Sequence, residues 1–247
     1  QDIKKELTSR KIPFIIQLTD AIAGVLKISK SACCIITDCG YLRHQLAWRR
    51  QIAETANCAV IQLETEVLIP VETVSKKEEY SARTIRLKIN KLFDDYLIPI
   101  NQNKLILDSL NWLKKTKKEE TEFQSLDISN IAAIKTFLNI DKTIGLHKNF
   151  YGGQNTAQKK FISFINTKLE KYEEFRNHPG LDFISGLSPY LHFGQISVVQ
   201  ILIELYQRRL EIKAAAFIEE LIVRRELAIN FVYYNKFYDS FDALDAW

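Results

Sequence analysis

Two segments of this chain carry side chains suited to gripping an anion and to hydrogen-bonding a heterocycle edge. The first is Ile184-Ser185-Gly186-Leu187-Ser188-Pro189. Ser188 followed by Pro189 matches a helix N-cap with proline at the first helical position. Ser185 and Ser188 add hydroxyls, and Gly186 permits close backbone approach to a ligand. Free N–H groups at a helix start beside small hydroxyl residues suit a phosphate or diphosphate. The same residues also describe a capped helix that binds nothing, and the segment alone leaves both readings open. His192 lies four residues on, among aromatics, and no catalytic role is assigned to it.

The second segment is Glu219-Glu220-Leu221-Ile222-Val223-Arg224-Arg225-Glu226-Leu227. Glu220 and Arg224 stand four apart and are expected to share a helix face. As an exposed pair they would contribute only about 0.3–0.5 kcal/mol. The remainder of that helix is apolar, through Phe217, Leu221, Leu227, Ala228 and Phe231, so some of its charges are expected to be buried or to line a cleft. Glu226, Asn230 and Tyr234 form a second polar line at helical spacing. A carboxylate and a guanidinium held in a dry cleft would bind a base edge and a phosphate respectively.

Elements that must position these groups follow from periodicity. Pro13 to Leu18, Ala32 to Thr37 and Cys58 to Leu63 read as strands, the second buried on both faces. Helices over Ala21 to Ile28 and Leu42 to Ala56 separate them, which implies a parallel sheet with crossovers. Asp38-Cys39-Gly40 ends the second strand as a turn, where α/β folds place ligand crevices, although no GxGxxG fingerprint is present. Glu78 to Asp94 reads as a helix capped by Ser75. Its Arg83, Arg86, Lys88 and Lys91 read as a solvated face rather than a phosphate site. Lys114 to Glu122 reads as a surface helix end and linker. Beyond it Asn155 to Phe175, Ser197 to Leu210 and Lys213 to Tyr234 are helical in period. The fold class is therefore α/β followed by all-α.

Composition narrows the setting. At 247 residues, 47% hydrophobic and 26% charged, the chain supports a substantial core and is not of a disordered class. A net charge of +4 is compatible with a polyanionic partner without requiring one. Cys33, Cys34 and Cys58 fall in apolar runs and read as reduced core thiols; no His/Cys spacing suits zinc, so no metal is expected. With no signal peptide and no apolar run of about 18 residues, a soluble intracellular protein of the cytoplasm or nucleus, without a membrane partner, is expected. The chain starts at Gln1, has no methionine and stops at Trp247 on a helical pattern, and it reads as a fragment of something longer.

Both chemical segments closely resemble the class II cyclobutane pyrimidine dimer photolyases, of the photolyase/cryptochrome family. The match runs through Ser185 to Ser197, Phe217 to Leu227, Asn230-Phe231, Tyr234-Asn235-Lys236 and Tyr238-Asp239-Ser240. Glu78 to Arg86, Thr37-Asp38 and Leu42-Arg43 continue it, so it spans essentially the whole chain. The resemblance implies a partial Rossmann-like parallel α/β antenna domain (1–100), an interdomain linker (101–150) and the N-terminal part of a helical FAD-binding domain (151–247). It implies FAD, a second antenna chromophore of unassigned identity, and a monomer acting on damaged double-stranded DNA with the pyrimidine dimer flipped out. Tyr172, Ile184, Ser185, Gly186, Leu187 and Ser188 would contact the flavin's diphosphate and ribityl region. Phe217 would pack near the flavin and Arg224 would pair with a phosphate. Glu220 would be the catalytic carboxylate that hydrogen-bonds the dimer, with Glu219 as the adjacent alternative and Val223 beside them on the substrate side. The implied reaction is light-driven electron transfer from reduced FAD that splits the dimer. Two other implied functions are a cryptochrome-like photoreceptor and a flavin-free DNA-binding paralogue. Two departures stand out. Ile229 replaces a usual acid. The first strands and the later flavin-domain helices, with the flavin N5 partner and the electron-relay tryptophans, are missing, so the fragment is expected to be incomplete for catalysis.

Overall fold

The computed structural model describes residues 1–99, 103, 105–111, 126–138, 140, 141, 143, 145, 147 and 150–244. Helices α1 (Asp2–Ser9) and α2 (Ala21–Ser29) lead into β1 (Cys34–Asp38), α3 (Arg43–Thr55) and β2 (Ala59–Leu63). Then come α4 (Val71–Val74) and α5 (Ala82–Tyr96), followed by a helix over Ile131–Phe137. The last part is helical throughout: Gln154–Thr167, Leu169–Phe175, Ser188–His192, Val198–Gln207, Ala215–Ile218 and Arg225–Tyr234, with a π-helical turn over Glu219–Arg224. Lys114 to Glu122, read above as helix end and linker, lies outside the described residues.

β1 and β2 pair in parallel, with Ile36 beside Ile61 and Asp38 beside Leu63, and α3 makes the crossover. This is the expected strand, helix, strand unit. The side chain of Asp20 accepts a bond of 2.9 Å from Ala23 N and so caps α2. Arg49 on α3 donates to Gln62 Oε1 at 2.9 Å and to the Gly40 carbonyl at 2.5 Å, tying the crossover to both strand ends.

Several sequence expectations are corrected here. Pro13 to Leu18 is not a strand among the described residues, although the Ile16 carbonyl accepts a bond from Leu126 N at 2.7 Å. β1 is not buried on both faces, because Ile36 is 63% exposed. Cys33 is exposed and Cys34 and Cys58 are half-buried, leaving Cys39 as the buried thiol; all four are free. Ser75 does not cap α5, which starts at Ala82 after Ser81. Instead the buried Ser75 hydroxyl donates to Glu79 Oε1 at 2.6 Å, and Lys88 Nζ donates to both at 2.5–2.9 Å. That network holds the Glu79 carboxyl down at about 2 against the opposing effect of burial. Arg86 is only partly solvated: its side chain is 39% exposed, and it grips both oxygens of Glu219 at 2.6 and 3.0 Å. The expected helix over Asn155 to Phe175 divides at Lys168.

One apolar core joins the two halves. Ala82, Ile85 and Ile89 form the buried stripe of α5, at spacings of three and four. With Leu68, Ile69 and Val74 they pack into the same cluster as Phe161, Phe164, Leu187, Ile201, Leu205, Phe217 and Ile222. Residues 64–81 have few regular backbone bonds of their own, and the helix Arg225–Tyr234 supplies them. Leu68 N donates to Glu226 Oε1 at 2.7 Å and Glu79 N to Asn230 Oδ1 at 2.8 Å. Asn230 Nδ2 donates to the Lys77 carbonyl at 3.2 Å, and Tyr234 Oη to the Ser75 carbonyl at 2.7 Å. The polar line Glu226, Asn230, Tyr234 read from the sequence is thus the seam between the strand-bearing part and the helices.

Glu226 is 3% exposed and its Oε2 has no hydrogen-bond partner among the described residues. Burial pushes its carboxyl up to about 7, against the bonds from Leu68 N and Ile69 N and the charge of Arg225. The folded protein therefore holds this proton more tightly than the unfolded chain. The associated stability is complete below about pH 4.5 and is lost as pH rises through 7, by up to roughly 3 kcal/mol. The contribution of Glu79, whose carboxyl is depressed, changes only well below pH 5. Urea unfolding at pH 5 and pH 8 should thus show the wild-type protein less stable at pH 8. In Glu226→Gln that difference should shrink. An equal pH dependence in both proteins would refute the assignment.

Candidate functional site

Seven of the eleven residues singled out by the sequence line one cleft, of about 940 Å³. That volume lies at the upper end of the roughly 300–1,000 Å³ usual for cofactor sites. One wall is Tyr172, Ile184, Ser185, Gly186, Ser188, Leu191, His192 and Phe193. A second is Phe217, Glu220, Leu221, Arg225, Ala228, Ile229 and Val232. The third, Tyr41, Leu42, Gln45 and Glu66, comes from the loops at the C-terminal ends of β1 and β2 and the first turn of α3. A crevice beyond the carboxyl ends of parallel strands is where α/β folds place ligands.

The serine-glycine wall is shaped by backbone conformation. Gly186 has φ +64°, a left-handed conformation, and a Cβ there would stand 2.5 Å from Lys160 Cε. Glycine meets both demands. Ser185 Oγ accepts the Leu187 N–H at 3.3 Å. Ser188 is the first helical residue and not the N-cap: the helix Ser188–His192 has Leu187 at its cap and no side-chain cap bond. The Ser188 hydroxyl, not engaged in capping, lines the cleft. The Asp38-Cys39-Gly40 turn is held by Asp38 Oδ1, which accepts from Cys39 N at 2.8 Å and Thr65 N at 3.2 Å.

The aromatic floor is closely packed. Phe164, Tyr172 and Phe217 are buried and meet with ring centroids 4.8–5.6 Å apart. Arg176 lies over the Tyr172 ring, 5.8 Å from its centroid, and its Nη1 is 2.6 Å from Glu220 Oε1. Glu220 thereby enters the cleft already paired. This pairing raises the Arg176 pKa further above its ordinary value.

Glu220 and Arg224 do not share a face, which corrects the expectation from their spacing. The π turn over Glu219–Arg224 widens the helix, so facing partners fall five apart. Arg224 Nε stands 3.8 Å from Glu219 Oε1, with its side chain 56% exposed and outside the cleft. The cation five residues from Glu220 is Arg225, which lines the cleft and donates to the Glu66 carbonyl. The cleft thus gathers Tyr172, Ile184, Ser185, Gly186, Ser188, Phe217 and Glu220. It does not gather Leu187 and Val223, which are buried, or Glu219, which is held by Arg86. Arg225, Tyr41, Leu42, Gln45 and Glu66 were missed. The doubled arginine and the turn after β1 were the available signals.

Known proteins agree with this architecture. Residues 1–104 match the model of the DNA photolyase family. Over its full length the chain is 34% identical to the deoxyribodipyrimidine photo-lyase of Methanothermobacter thermautotrophicus, of which it covers 52%. It is likewise 31% identical to the Arabidopsis thaliana enzyme, covering 50% of it. The chain spans about half the length of the curated relatives it matches. Among solved structures, a cryptochrome from Synechocystis sp. is similar with a TM-score of 0.64 and 17% identity, over 88% of this chain and 46% of that one. A Sulfolobus tokodaii photolyase solved with two FAD molecules gives a TM-score of 0.63 at 16% identity, over 94% of this chain and 46% of that one. At such identities these two likenesses concern the fold. A partial α/β unit leading into helices, with this match along its length, identifies the chain as a member of the photolyase/cryptochrome family.

Proposed function

We propose that this chain is the flavin-binding and lesion-reading part of a class II DNA photolyase that splits cyclobutane pyrimidine dimers in light. The single observation that carries the reading is the convergence of Ser185, Gly186, Ser188, Tyr172, Phe217 and Glu220 on one cleft. We retain the division into an antenna part (1–100), a linker (101–150) and a helical flavin part (151–247) as part of this proposal.

The residues present fit FAD. Gly186, in its left-handed conformation, lets the main chain come close to a diphosphate, and Ser185 and Ser188 offer hydroxyls to it. Arg225 replaces Arg224 as the phosphate partner in this reading, because Arg225 is the arginine lining the cleft. Tyr172 and Phe217 form an apolar face that excludes water from a planar ring system. When bound, the reduced flavin supplies the photoexcited electron that opens the cyclobutane ring. Everything else is positioning by the protein.

For the lesion, extrusion from the duplex is required, since a stacked base cannot reach a buried cofactor. Glu220 accepts a hydrogen bond from an imide N–H of the extruded pyrimidines. Arg176, 2.6 Å away, holds the carboxylate in place for it. Glu219 is discounted as the alternative, because both its oxygens are held by Arg86.

The intact protein to which this part belongs should carry flavin absorbance and repair a dimer-containing oligonucleotide in light but not in darkness. Glu220→Gln should lower repair and dimer affinity by roughly tenfold or more, the loss of a charge-assisted bond of about 1.5–3 kcal/mol, with flavin content unchanged. Flavin retention without repair would favour a cryptochrome-like photoreceptor. Salt-sensitive binding indifferent to damage, without flavin, would favour a DNA-binding paralogue.

Gly186→Ala tests the diphosphate wall separately. Gly194 has a similar φ, +61°, but faces open space away from the cleft. Both alanine variants should lose about 1–2 kcal/mol of stability to backbone strain. Only Gly186→Ala should lower flavin retention, read as the flavin-to-protein absorbance ratio. Equal retention in the two would argue against this wall as the diphosphate site.

A further inference from the structure

The acid that closes the seam also stands beside the cleft. Glu226 and Arg225 are neighbours in sequence, and both hold the segment that follows β2. Arg225, which lines the cleft, donates to the Glu66 carbonyl. Two residues on, Leu68 N donates to Glu226 Oε1 at 2.7 Å. The charges are close enough to act on one another. Glu66 and Glu226 both hold the Arg225 charge in place against the effect of its burial, and Glu64 acts in turn on Glu226. One cleft cation is thus faced by a small group of acids, and an incoming anion must compete with them.

The acids are not alike. Glu64 Oε2 receives Tyr41 Oη at 3.0 Å and Val71 N at 2.9 Å, and Glu66 is exposed to solvent. Glu226 is buried, and its Oε2 has no partner among the described residues. A carboxylate with one dry, unbonded oxygen gains most from a proton, and Glu226 takes one at about 7. The other charged groups along its helix are engaged. Glu72 on α4 meets Tyr233 and Lys76, Glu78 meets Asn235, and Glu79 meets Ser75 and Lys88. Cys39, buried with Tyr41 in the turn after β1, accepts from Gln62. We propose that an anion entering the cleft beside Arg225 brings a proton onto Glu226. Glu226 is then a positioning residue, whose charge sets how strongly Arg225 grips the ligand. The inference rests on the reading that Arg225 faces the diphosphate of FAD.

An anion beside Arg225 adds a negative charge near Glu226 and takes up part of the guanidinium's attraction. Both effects disfavour the Glu226 carboxylate, so its midpoint rises on binding. Binding at pH 7.5 then draws a proton from solvent, about half of one per site for a rise of roughly one unit. By linkage, affinity falls as pH rises, roughly three- to tenfold between pH 6.5 and 8.5. Below about pH 6 Glu226 is neutral with or without ligand, and the slope vanishes. The diphosphate of FAD is a diester whose charge is constant over this range, so the slope belongs to the protein. A seam role alone requires the bond to Leu68 but no proton uptake with ligand.

Calorimetry on the intact protein, freed of flavin, tests this. FAD is titrated at pH 7.5 in Hepes and in Tris, whose ionisation enthalpies differ, so that proton uptake is read from the difference in heat. Wild type should take up about half a proton and lose affinity from pH 6.5 to 8.5. Glu226→Gln, uncharged at every pH, should take up none and hold FAD with an affinity independent of pH. No uptake in wild type, or equal uptake in Glu226→Gln, overturns the proposal. Should that variant fail to fold, the infrared difference spectrum of wild type decides. FAD at pH 7.5 should add a protonated-carboxyl band, and its absence defeats the proposal. If FAD does not bind, the cofactor reading fails on its own. Inorganic sulfate, also of constant charge over this range, then takes its place. Sulfate should add the band in wild type and not in Arg225→Gln. No band, or the same band in both, refutes the link between Arg225 and Glu226.

Discussion

The segment from Glu64 to Ser81 joins the sheet to α5 with few regular backbone bonds of its own, yet much of it is buried. Buried peptide groups must find partners, at a cost of about 1–3 kcal/mol for each one left alone. The helix Arg225–Tyr234 provides them through Glu226, Asn230 and Tyr234, one per turn, each meeting main-chain atoms of that segment. The third wall of the cleft depends on this seam. Tyr41 and Glu66 hold their positions because Glu64, Glu66 and Leu68 are anchored to the same helix or to the turn after β1. Replacing such a seam by apolar contacts would leave those main-chain groups without partners.

A π turn sits where the helix passes from the core to the seam. Its extra residue lets two demands be met on one helix: Phe217 packs into the aromatic floor, and Glu226 reaches Leu68. It also separates two adjacent acids. Glu219 turns to Arg86 on α5, and Glu220 turns to Arg176 at the cleft. Adjacent carboxylates given unlike partners in this way can take unlike roles, one fixing α5 to the helices and one remaining at the cleft wall. The same change of phase exchanges the arginines, bringing Arg225 to the cleft and leaving Arg224 beside Glu219.

Two charged groups at the cleft are held in advance. Glu220 is held by Arg176, and Arg225 by the Glu66 carbonyl. In a partly dry site, pairing of this kind limits the desolvation cost of keeping ionic groups ready for a polar ligand. It also limits their movement, so a ligand meets groups already ordered by the aromatic floor beneath them.

The amino-acid sequence by itself determined the local features. The α3 crossover between β1 and β2, the apolar stripe of α5 and the candidate wall from Ile184 to Ser188 are set by periodicity and by glycine and serine chemistry within a few residues. The need for buried charges near Glu220 was legible too, because an apolar helix cannot expose all its faces. Only the tertiary structure decided where those charges go. Spacing of four implied a Glu220–Arg224 pair, and the π turn overrode it. Ser75, read as a cap, became the centre of a Lys88–Glu79 network thirteen residues wide. Glu226, Asn230 and Tyr234 read only as a second polar line, and the fold makes that line a seam. The physical reason is common to these cases: partners in each lie outside the helix that carries the residue, and one-dimensional spacing reports only neighbours on the same helix or strand.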